Sequence, residues 1–110
     1  MTLTLQSLIE EVIPKRAIKV KARLKGVNGT LFIEAAGTDE RGWTLKLVDG
    51  VVEVKRGQGD NINCAIKADT KTWNSLLCGR LSYMKALLVG KLRIKGDRLL
   101  ALKITNSLLG

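Results

Sequence analysis

The side chains able to do chemistry are few in this chain, and their types limit the reactions it could catalyse. Its 110 residues contain no histidine, which excludes the Ser–His and Cys–His pairs of nucleophilic enzymes. Cys64 and Cys78 have no metal-ligand spacing, and two cysteines fit a reducing compartment better than a disulfide scaffold. We expect both to be structural thiols, although the sequence leaves a bridge between them open.

The carboxylates offer no paired acid and base. Glu10 and Glu11 are adjacent, so they point to different sides of a helix. Asp39 and Glu40 fall in a predicted turn, where solvated side chains are the usual finding. We therefore expect solvated carboxylates in preference to paired acid–base work, and no metal or cofactor.

The basic residues suggest an anionic partner. The chain has 19 Lys and Arg against 10 Asp and Glu, a net charge of +9, and residues 70–110 contain eight basic residues and one acidic residue. Lys91, Arg93 and Lys95 alternate on one face of a predicted strand, and Arg98 follows. These residues suit lipid headgroups or an anionic membrane surface. A nucleic-acid site would need interleaved aromatic residues, and aromatics are only 4% of the chain. A plain solvated sheet edge is the alternative.

Alternating apolar and polar residues predict a sheet. The predicted strands are residues 30–36, 42–48, 51–56, 62–68 and 91–95. Asp49-Gly50 is a strong hairpin signal between the second and third strands. Because each strand is apolar on one side only, the pattern predicts an antiparallel sheet with one face covered.

Helical segments flank these strands. Residues 4–13 have apolar side chains at helical spacing, and Pro14 either interrupts this helix or starts a second one. Residues 17–25 fit strand or helix equally. Asp69 and Ser82 are predicted N-caps, because their side chains can accept from the first amides of a helix. The predicted helix ends are Gly79 and Gly90, and a last helix is predicted over residues 98–109.

The apolar helix faces must pack on the sheet, because helices this short are not stable alone. One face contains Trp73, Leu76 and Leu77, and the next contains Met84, Leu87 and Leu88. Both faces suit a solid core, and Leu and Met also suit a pliable pocket for an oily ligand.

Four segments of the second half resemble the sterol carrier protein type 2 domain family. Residues 63–69 form an alternating strand that ends in Asp, and residues 73–81 form a helix that ends in Gly-Arg. Residues 86–97 match the family phrase Ala-x-x-x-Gly-Lys-Leu-Lys-Ile-x-Gly-Asn/Asp almost throughout, and residues 100–103 read Leu-Ala-Leu-Lys. Upstream, residues 43–54 resemble its Trp-x-Leu, Asp-Gly and Val hairpin.

The resemblance implies an α+β fold, with a five-stranded, mostly antiparallel sheet and helices packed over one face. It also implies a hydrophobic tunnel between sheet and helices that accepts sterols, fatty acyl chains, acyl-CoA or other lipids. We expect one domain over residues 1–110, with a short basic helical segment at residues 1–25 and a core at residues 27–109.

The sequence thus predicts a non-enzymatic, cytoplasmic lipid carrier, monomeric or dimeric, whose ligand is a fatty acid, acyl-CoA, a sterol-like lipid or a quinone. The predicted cavity-lining residues are Phe32, Trp43, Leu45, Trp73, Leu76, Leu77, Met84, Leu87, Leu88, Leu99 and Leu102. The residues predicted to meet headgroups or anionic membrane are Lys91, Arg93, Lys95 and Arg98. The alternatives are an accessory domain on a lipid- or quinone-handling enzyme and a basic module that binds nucleic acid or an acidic partner.

Overall fold

Five strands form a mixed sheet in the computed structural model, which describes residues 4–37 and 41–109. The strands are β1 (Gly29–Ala36), β2 (Arg41–Val48), β3 (Val51–Arg56), β4 (Cys64–Asp69) and β5 (Arg93–Gly96), arranged in the order β3-β2-β1-β4-β5. The prediction of a mostly antiparallel five-stranded sheet with helices on one face is confirmed. The antiparallel pattern inferred from the alternation is wrong at the centre, because β1 and β4 run parallel. The predicted turn residues Asp39 and Glu40 lie outside the described residues.

The helices and π-helical segments come before, between and after the strands. They are α1 (Leu5–Ser7), a π-helical segment (Leu8–Val12), α2 (Ile13–Lys19), α3 (Lys21–Leu24), α4 (Thr70–Leu77), α5 (Tyr83–Leu88), α6 (Arg98–Ile104) and a second π-helical segment (Thr105–Leu109). Pro14 does not interrupt the first helical region, because α2, in whose first turn it lies, continues directly from the π-helical segment. The residues that fitted strand or helix equally, 17–25, are helical except for turns at Val20 and Lys25.

The ends of the second-half helices are fixed by side-chain caps and glycines. Asp69 accepts from Thr72 N and Ser82 from Lys85 N, as predicted for N-caps. At the other end of α5, Gly90 has φ +77°, a left-handed conformation that favours glycine. It allows Lys91 N to donate to Ala86 O at 2.9 Å, which is a Schellman cap. The chain therefore reverses sharply after α5.

The core lies between one face of the sheet and the helices. Strand alternation places Leu31, Ile33 and Ala35 of β1 on this inner face, where all three are fully buried. The C-terminal π-helical segment packs on α2 and α3, and its Leu108 is also fully buried. The N-terminal and C-terminal helical regions thus close the same core.

Candidate functional site

The apolar layer between sheet and helices contains several of the predicted ligand-binding residues. Trp43 and Leu45 of β2 lie on its sheet side, and Trp73, Leu76 and Leu77 of α4 lie on its helix side. All five are buried. Residues of α1, α2 and α6 and the other inner-face strand residues complete this buried cluster. We call the whole cluster the inner layer.

Both tryptophans are fixed at their polar ends. Trp43 Nε1 donates to Glu10 Oε2 at 3.1 Å, and Trp73 Nε1 donates to the carbonyl oxygen of Glu34 at 2.9 Å. A buried indole N–H that lacks an acceptor is costly, so these bonds determine which way each ring can point. The two rings are rigid parts of the inner layer.

Two buried polar atoms have no hydrogen-bond partner among the described residues, Tyr83 Oη on α5 and Asn74 Oδ1 on α4. Burial also raises the pKa of the Tyr83 phenol well above its ordinary value, and the opposing effect of nearby Arg16 is smaller. Buried polar groups are almost always paired with protein or with water. These two atoms are therefore groups that a water molecule or the polar end of a bound molecule would satisfy. Neither residue was among the predicted site residues.

Three predicted lining residues lie outside the inner layer. Met84, Leu88 and Leu99 are largely exposed to solvent. On α5 the buried residues are Tyr83 and Ala86, with Leu87 partly buried beside them. Residues 83, 86 and 87 have the same i, i+3, i+4 spacing as the predicted set 84, 87 and 88, so the prediction was displaced by one position.

Phe32 is also outside the inner layer. It pairs with Thr44 in the register of β1 and β2, and both side chains point to the face away from the helices, while their neighbours Leu31 and Ile33 point inward. Its ring lies over Gly42, where an added Cβ would clash with it. Leu102 is partly buried, while its neighbour Leu100 packs against the core instead.

The predicted headgroup residues are exposed but do not share one surface. Arg93 and Lys95 pair with Lys67 and Ala65 of β4 and lie on the outer face of the sheet, away from the inner layer. Lys91 lies closer to the helices, and its charge contributes to the lowered pKa of Asp69, although hydrogen bonds from Thr72 are the main cause. Arg98 begins α6.

At least two surface cavities lie outside the inner layer. One, of about 350 Å³, lies on the outer sheet face and is lined mainly by polar residues that include Thr44, Lys46 and Asp60. Thr44 helps to form it, because its hydroxyl donates to Gly57 O and accepts from Gly59 N, which holds the following loop over the sheet. Another, of about 340 Å³, has Asn63 and Lys103 among its lining residues.

The described residues contain no group of three or more Cys, Asp and Glu side chains that could hold a metal ion. Cys64 is buried and Cys78 is exposed, and both are free thiols, which decides the question of a bridge that the sequence left open. Within residues 4–37 and 41–109, no helix has the length and apolar character needed to cross a membrane.

The sequence of the chain matches that of a known protein family. The sequence model of the SCP-2 sterol transfer family matches residues 8–108, nearly the whole chain. The chain belongs to the SCP-2 sterol transfer family. The resemblance noted in the sequence is therefore confirmed, and it extends upstream of the strands into the N-terminal helical region. No curated protein shows significant sequence similarity to this SCP-2 chain.

Solved structures share the SCP-2 fold with this chain at low sequence identity. The solution structure of palmitated SCP2L2 from Aedes aegypti is 19% identical, with a TM-score of 0.82, and the match covers 98% of this chain and 96% of that one. The apo form of sterol carrier protein 2 from Yarrowia lipolytica is 16% identical, with a TM-score of 0.66, covering 96% and 88%.

The same fold also occurs inside a larger enzyme. Pisa1, a stereoselective inverting sec-alkylsulfatase from Pseudomonas sp., is 18% identical with a TM-score of 0.69. The match covers 82% of this SCP-2 chain but only 14% of the sulfatase chain. An SCP-2 fold is thus found both as nearly a whole chain and as a small part of one.

Proposed function

We propose that this SCP-2 chain is a small, non-enzymatic carrier that holds an apolar molecule between its sheet and its helices. The ligand class is a fatty acid, an acyl-CoA, a sterol-like lipid or a quinone. The observation that carries the proposal is the inner layer itself, a continuous apolar region in a chain of a sterol transfer family. The palmitated state of the Aedes aegypti structure supports a fatty acyl chain as the first ligand to test.

The driving force is the transfer of an apolar chain out of water. Each methylene that enters the inner layer contributes about 0.8 kcal/mol. The proposed contacts are Trp43, Leu45, Trp73, Leu76 and Leu77, with Leu87 at the half-buried margin. No bond is made or broken, so the absence of histidine from the sequence does not limit this activity.

Tyr83 and Asn74 provide a site for the polar end of such a ligand. The phenol of Tyr83 can donate a hydrogen bond, and Asn74 Oδ1 can only accept one. A carboxylic acid or a hydroxyl group carries both a donor and an acceptor, so it could pair with either atom. Arg16, which lies near enough to affect the phenol electrostatically, favours a ligand with a negative end.

Uptake of a fluorescent fatty-acid analogue by the purified protein tests the carrier function. Leu87 is the residue to change, because it packs on the inner layer and is only partly buried. We expect Leu87→Asp to weaken binding by about tenfold or more, since a charge would replace apolar contact. Leu99→Asp, which makes the same change at an exposed position on α6, is the matched control.

A second variant separates binding from folding. Leu87→Trp keeps the position apolar but takes up more volume, and we expect it to reduce uptake while circular dichroism shows a folded protein. Normal uptake by both Leu87 variants would contradict the assigned site. Failure of the wild-type protein to bind any analogue, together with no carried lipid in native mass spectrometry, would contradict the carrier function.

A second candidate is an accessory domain that docks on a lipid- or quinone-handling enzyme. The small share of the Pisa1 chain that this fold occupies favours it. Co-purification of the tagged chain with an enzyme, without carried lipid, would support this candidate over the first. Binding to nucleic acid, the remaining alternative, would be recognised by a steep fall of affinity with salt.

The proposed location is the cytoplasm, and the two free thiols support a reducing compartment. The proposed state is a monomer or dimer. Light scattering on the purified protein measures the oligomeric state, and cell fractionation determines the location.

A further inference from the structure

The outward side of α5 is apolar, contrary to what is usual for a helix at a protein surface. Such helices bury one stripe and present polar residues to water. Here Tyr83 and Ala86 are buried, while Met84 is 57% exposed, Leu88 78% and Val89, just after the helix, 57%. We call Met84, Leu88 and Val89 the α5 ridge.

The α5 ridge is the largest group of exposed apolar residues that are close in the described sequence. The exposed large apolar side chains are Ile18, Val48, Val51, Met84, Leu88, Val89 and Leu99. Three of these seven fall within six consecutive residues, two form the cross-strand pair of Val48 and Val51, and the remaining two lie on separate helices. A clustered apolar surface that is bordered by polar residues marks a contact with a partner or a membrane.

Positive charge surrounds the α5 ridge. Residues 70–96 contain six Lys and Arg residues and no Asp or Glu. Lys85 lies within α5 itself, and the Schellman cap brings Lys91 back beside the last turn of the helix. Arg80 is placed in the same way by the cap of α4, where its N–H donates to Ser75 O at 2.8 Å. Among the described residues none of these three cations forms a salt bridge.

We propose that the α5 ridge, together with Arg80, Lys85 and Lys91, is a docking surface for an anionic lipid bilayer. Aliphatic side chains gain free energy by entering the boundary between headgroups and acyl chains, and cations gain by lying near anionic headgroups. The surface combines both kinds of residue within a few positions. The charge complementarity therefore selects an anionic bilayer over a neutral one.

Nucleic acid fits this surface less well. Single-stranded nucleic acid binds through aromatic side chains on which its bases stack, and Trp43, Trp73 and Tyr83 are all buried. The exposed aliphatic ridge would gain nothing from a phosphate backbone. A second copy of this chain is disfavoured because it would bring Lys85 and Lys91 against the same cations.

The inference goes beyond the proposed carrier function and does not depend on it. A ligand held in the inner layer would explain no part of the α5 ridge, since the ridge points the other way. Vesicle binding and fatty-acid uptake in vesicle-free solution are separate measurements, so either can fail while the other holds.

Sedimentation with vesicles tests the surface. The probes are vesicles of phosphatidylcholine alone and of phosphatidylcholine mixed with phosphatidylglycerol, at low salt. We expect the wild-type protein to sediment with the anionic vesicles only. Leu88→Asp should lower the partition coefficient by about tenfold or more, and Lys85→Gln and Lys91→Gln should each lower it by about fivefold.

Val51→Asp is the matched control. Val51 is also exposed, its substitution changes the net charge equally, and it lies on β3, the sheet edge opposite β5. It should bind anionic vesicles within about twofold of the wild-type protein, since surface changes away from a site have small effects. Leu88→Asn and Met84→Asn remove apolar surface without changing charge, and both should also weaken binding.

Three results would overturn the proposal. The first is wild-type protein that does not prefer anionic vesicles. The second is binding that Leu88→Asp, Leu88→Asn and Met84→Asn all leave unchanged, which would mean that charge alone attracts the protein. The third is a wild-type dimer that these variants convert to a monomer with unchanged vesicle binding, which would assign the ridge to a second copy of the chain.

Discussion

Glu10 is the hydrogen-bond acceptor for Trp43, and the same carboxylate binds Arg56. The indole Nε1 lies 3.1 Å from Glu10 Oε2, and Arg56 Nε lies 2.9 Å from it. One side chain of the N-terminal π-helical segment therefore connects β2 and β3. This connection holds the first helical region over the sheet.

Replacing Glu10 should destabilise the fold. In Glu10→Ala the buried indole N–H loses its acceptor, and we expect the free energy of unfolding to fall by about 1–3 kcal/mol. Urea denaturation followed by tryptophan fluorescence measures this. Glu11→Ala, at the exposed neighbouring position, should change it by less than about 0.5 kcal/mol. Equal losses in the two variants would show that the Trp43 contact has no special role.

The N-cap of α4 should make stability depend on pH in the acid range. Hydrogen bonds from Thr72 lower the pKa of Asp69 below its ordinary 3.8. The stabilisation from the charged form is therefore complete above this value and is lost as the pH falls through the lower, folded-state pKa. In Asp69→Asn, which can still cap the helix, this contribution should be absent. Denaturation midpoints across the acid range, compared between wild type and variant, check the difference. Parallel curves would contradict it.

Tyr83→Phe should leave the free energy of unfolding unchanged or raise it by about 1 kcal/mol, because it removes a buried hydroxyl that has no partner. It should also weaken binding of the fatty-acid analogue if the ligand's polar end reaches this position. A clear loss of stability in the ligand-free variant would show that the hydroxyl is already satisfied by ordered water. Chemical denaturation and analogue titration give the two readouts.

The same phenol should make the protein less stable in alkali. Burial raises its pKa in the folded state, so stability is complete below the ordinary value of about 10 and falls as the pH rises above it. Tyr83→Phe should lack this part of the fall. Because Tyr83 is the only tyrosine in the sequence, tyrosinate absorbance reports it alone. Its ionisation at the ordinary pH in folded protein would contradict the assigned burial.

The two thiols should differ strongly in reactivity. Cys78 is exposed and Cys64 is buried, and desolvation raises the pKa of the Cys64 thiol to about 11. Because the thiolate is the reactive form, a thiol reagent should modify one cysteine quickly in native protein and the second only after unfolding. Cys78→Ser should remove the fast phase. A fast phase that survives in Cys78→Ser would show that the sheet opens readily around β4.

The sheet could be predicted well because its side chains alternate. The third strand is found at the predicted residues, and the first two each begin one residue earlier than predicted. The fourth begins at Cys64 and not at residue 62, because Asn61 has φ +55° and interrupts the extended backbone. The parallel pairing of β1 with β4 could not be inferred from alternation, since a strand covered on one face has the same pattern in either direction.

The buried faces of the helices were harder to predict, because aliphatic residues occur on more than one side of each helix. On α6, Ala101 and Ile104 are buried while Leu99 is exposed, although all three fit helical spacing. On α5 two sets with the same spacing overlap, and only packing selects the set with the smaller and more polar side chains. The predicted side chains of α4 therefore lie in the inner layer, whereas on α5 and α6 packing buries side chains other than most of those predicted.

The backbone conformation and packing at Gly96 require a glycine, and the sequence motif alone does not show this. It lies in the phrase that resembled the family, and its φ is +83°. A Cβ at this position would lie 2.5 Å from the backbone oxygen of Asn63. Any other residue would force β5 away from β4, so this glycine is required by the close approach of two backbones.

The burial of Leu108 has a consequence for how the chain folds as it is synthesised. The meander of β1, β2 and β3 emerges from the ribosome with only the N-terminal helices available to cover its apolar face, and the segment that contains Leu108 follows only after all five strands. Until then the nascent chain exposes apolar surface of a partly folded sheet. Partly folded species of this kind tend to aggregate. Its yield in cells should therefore depend on chaperones more than its small size suggests.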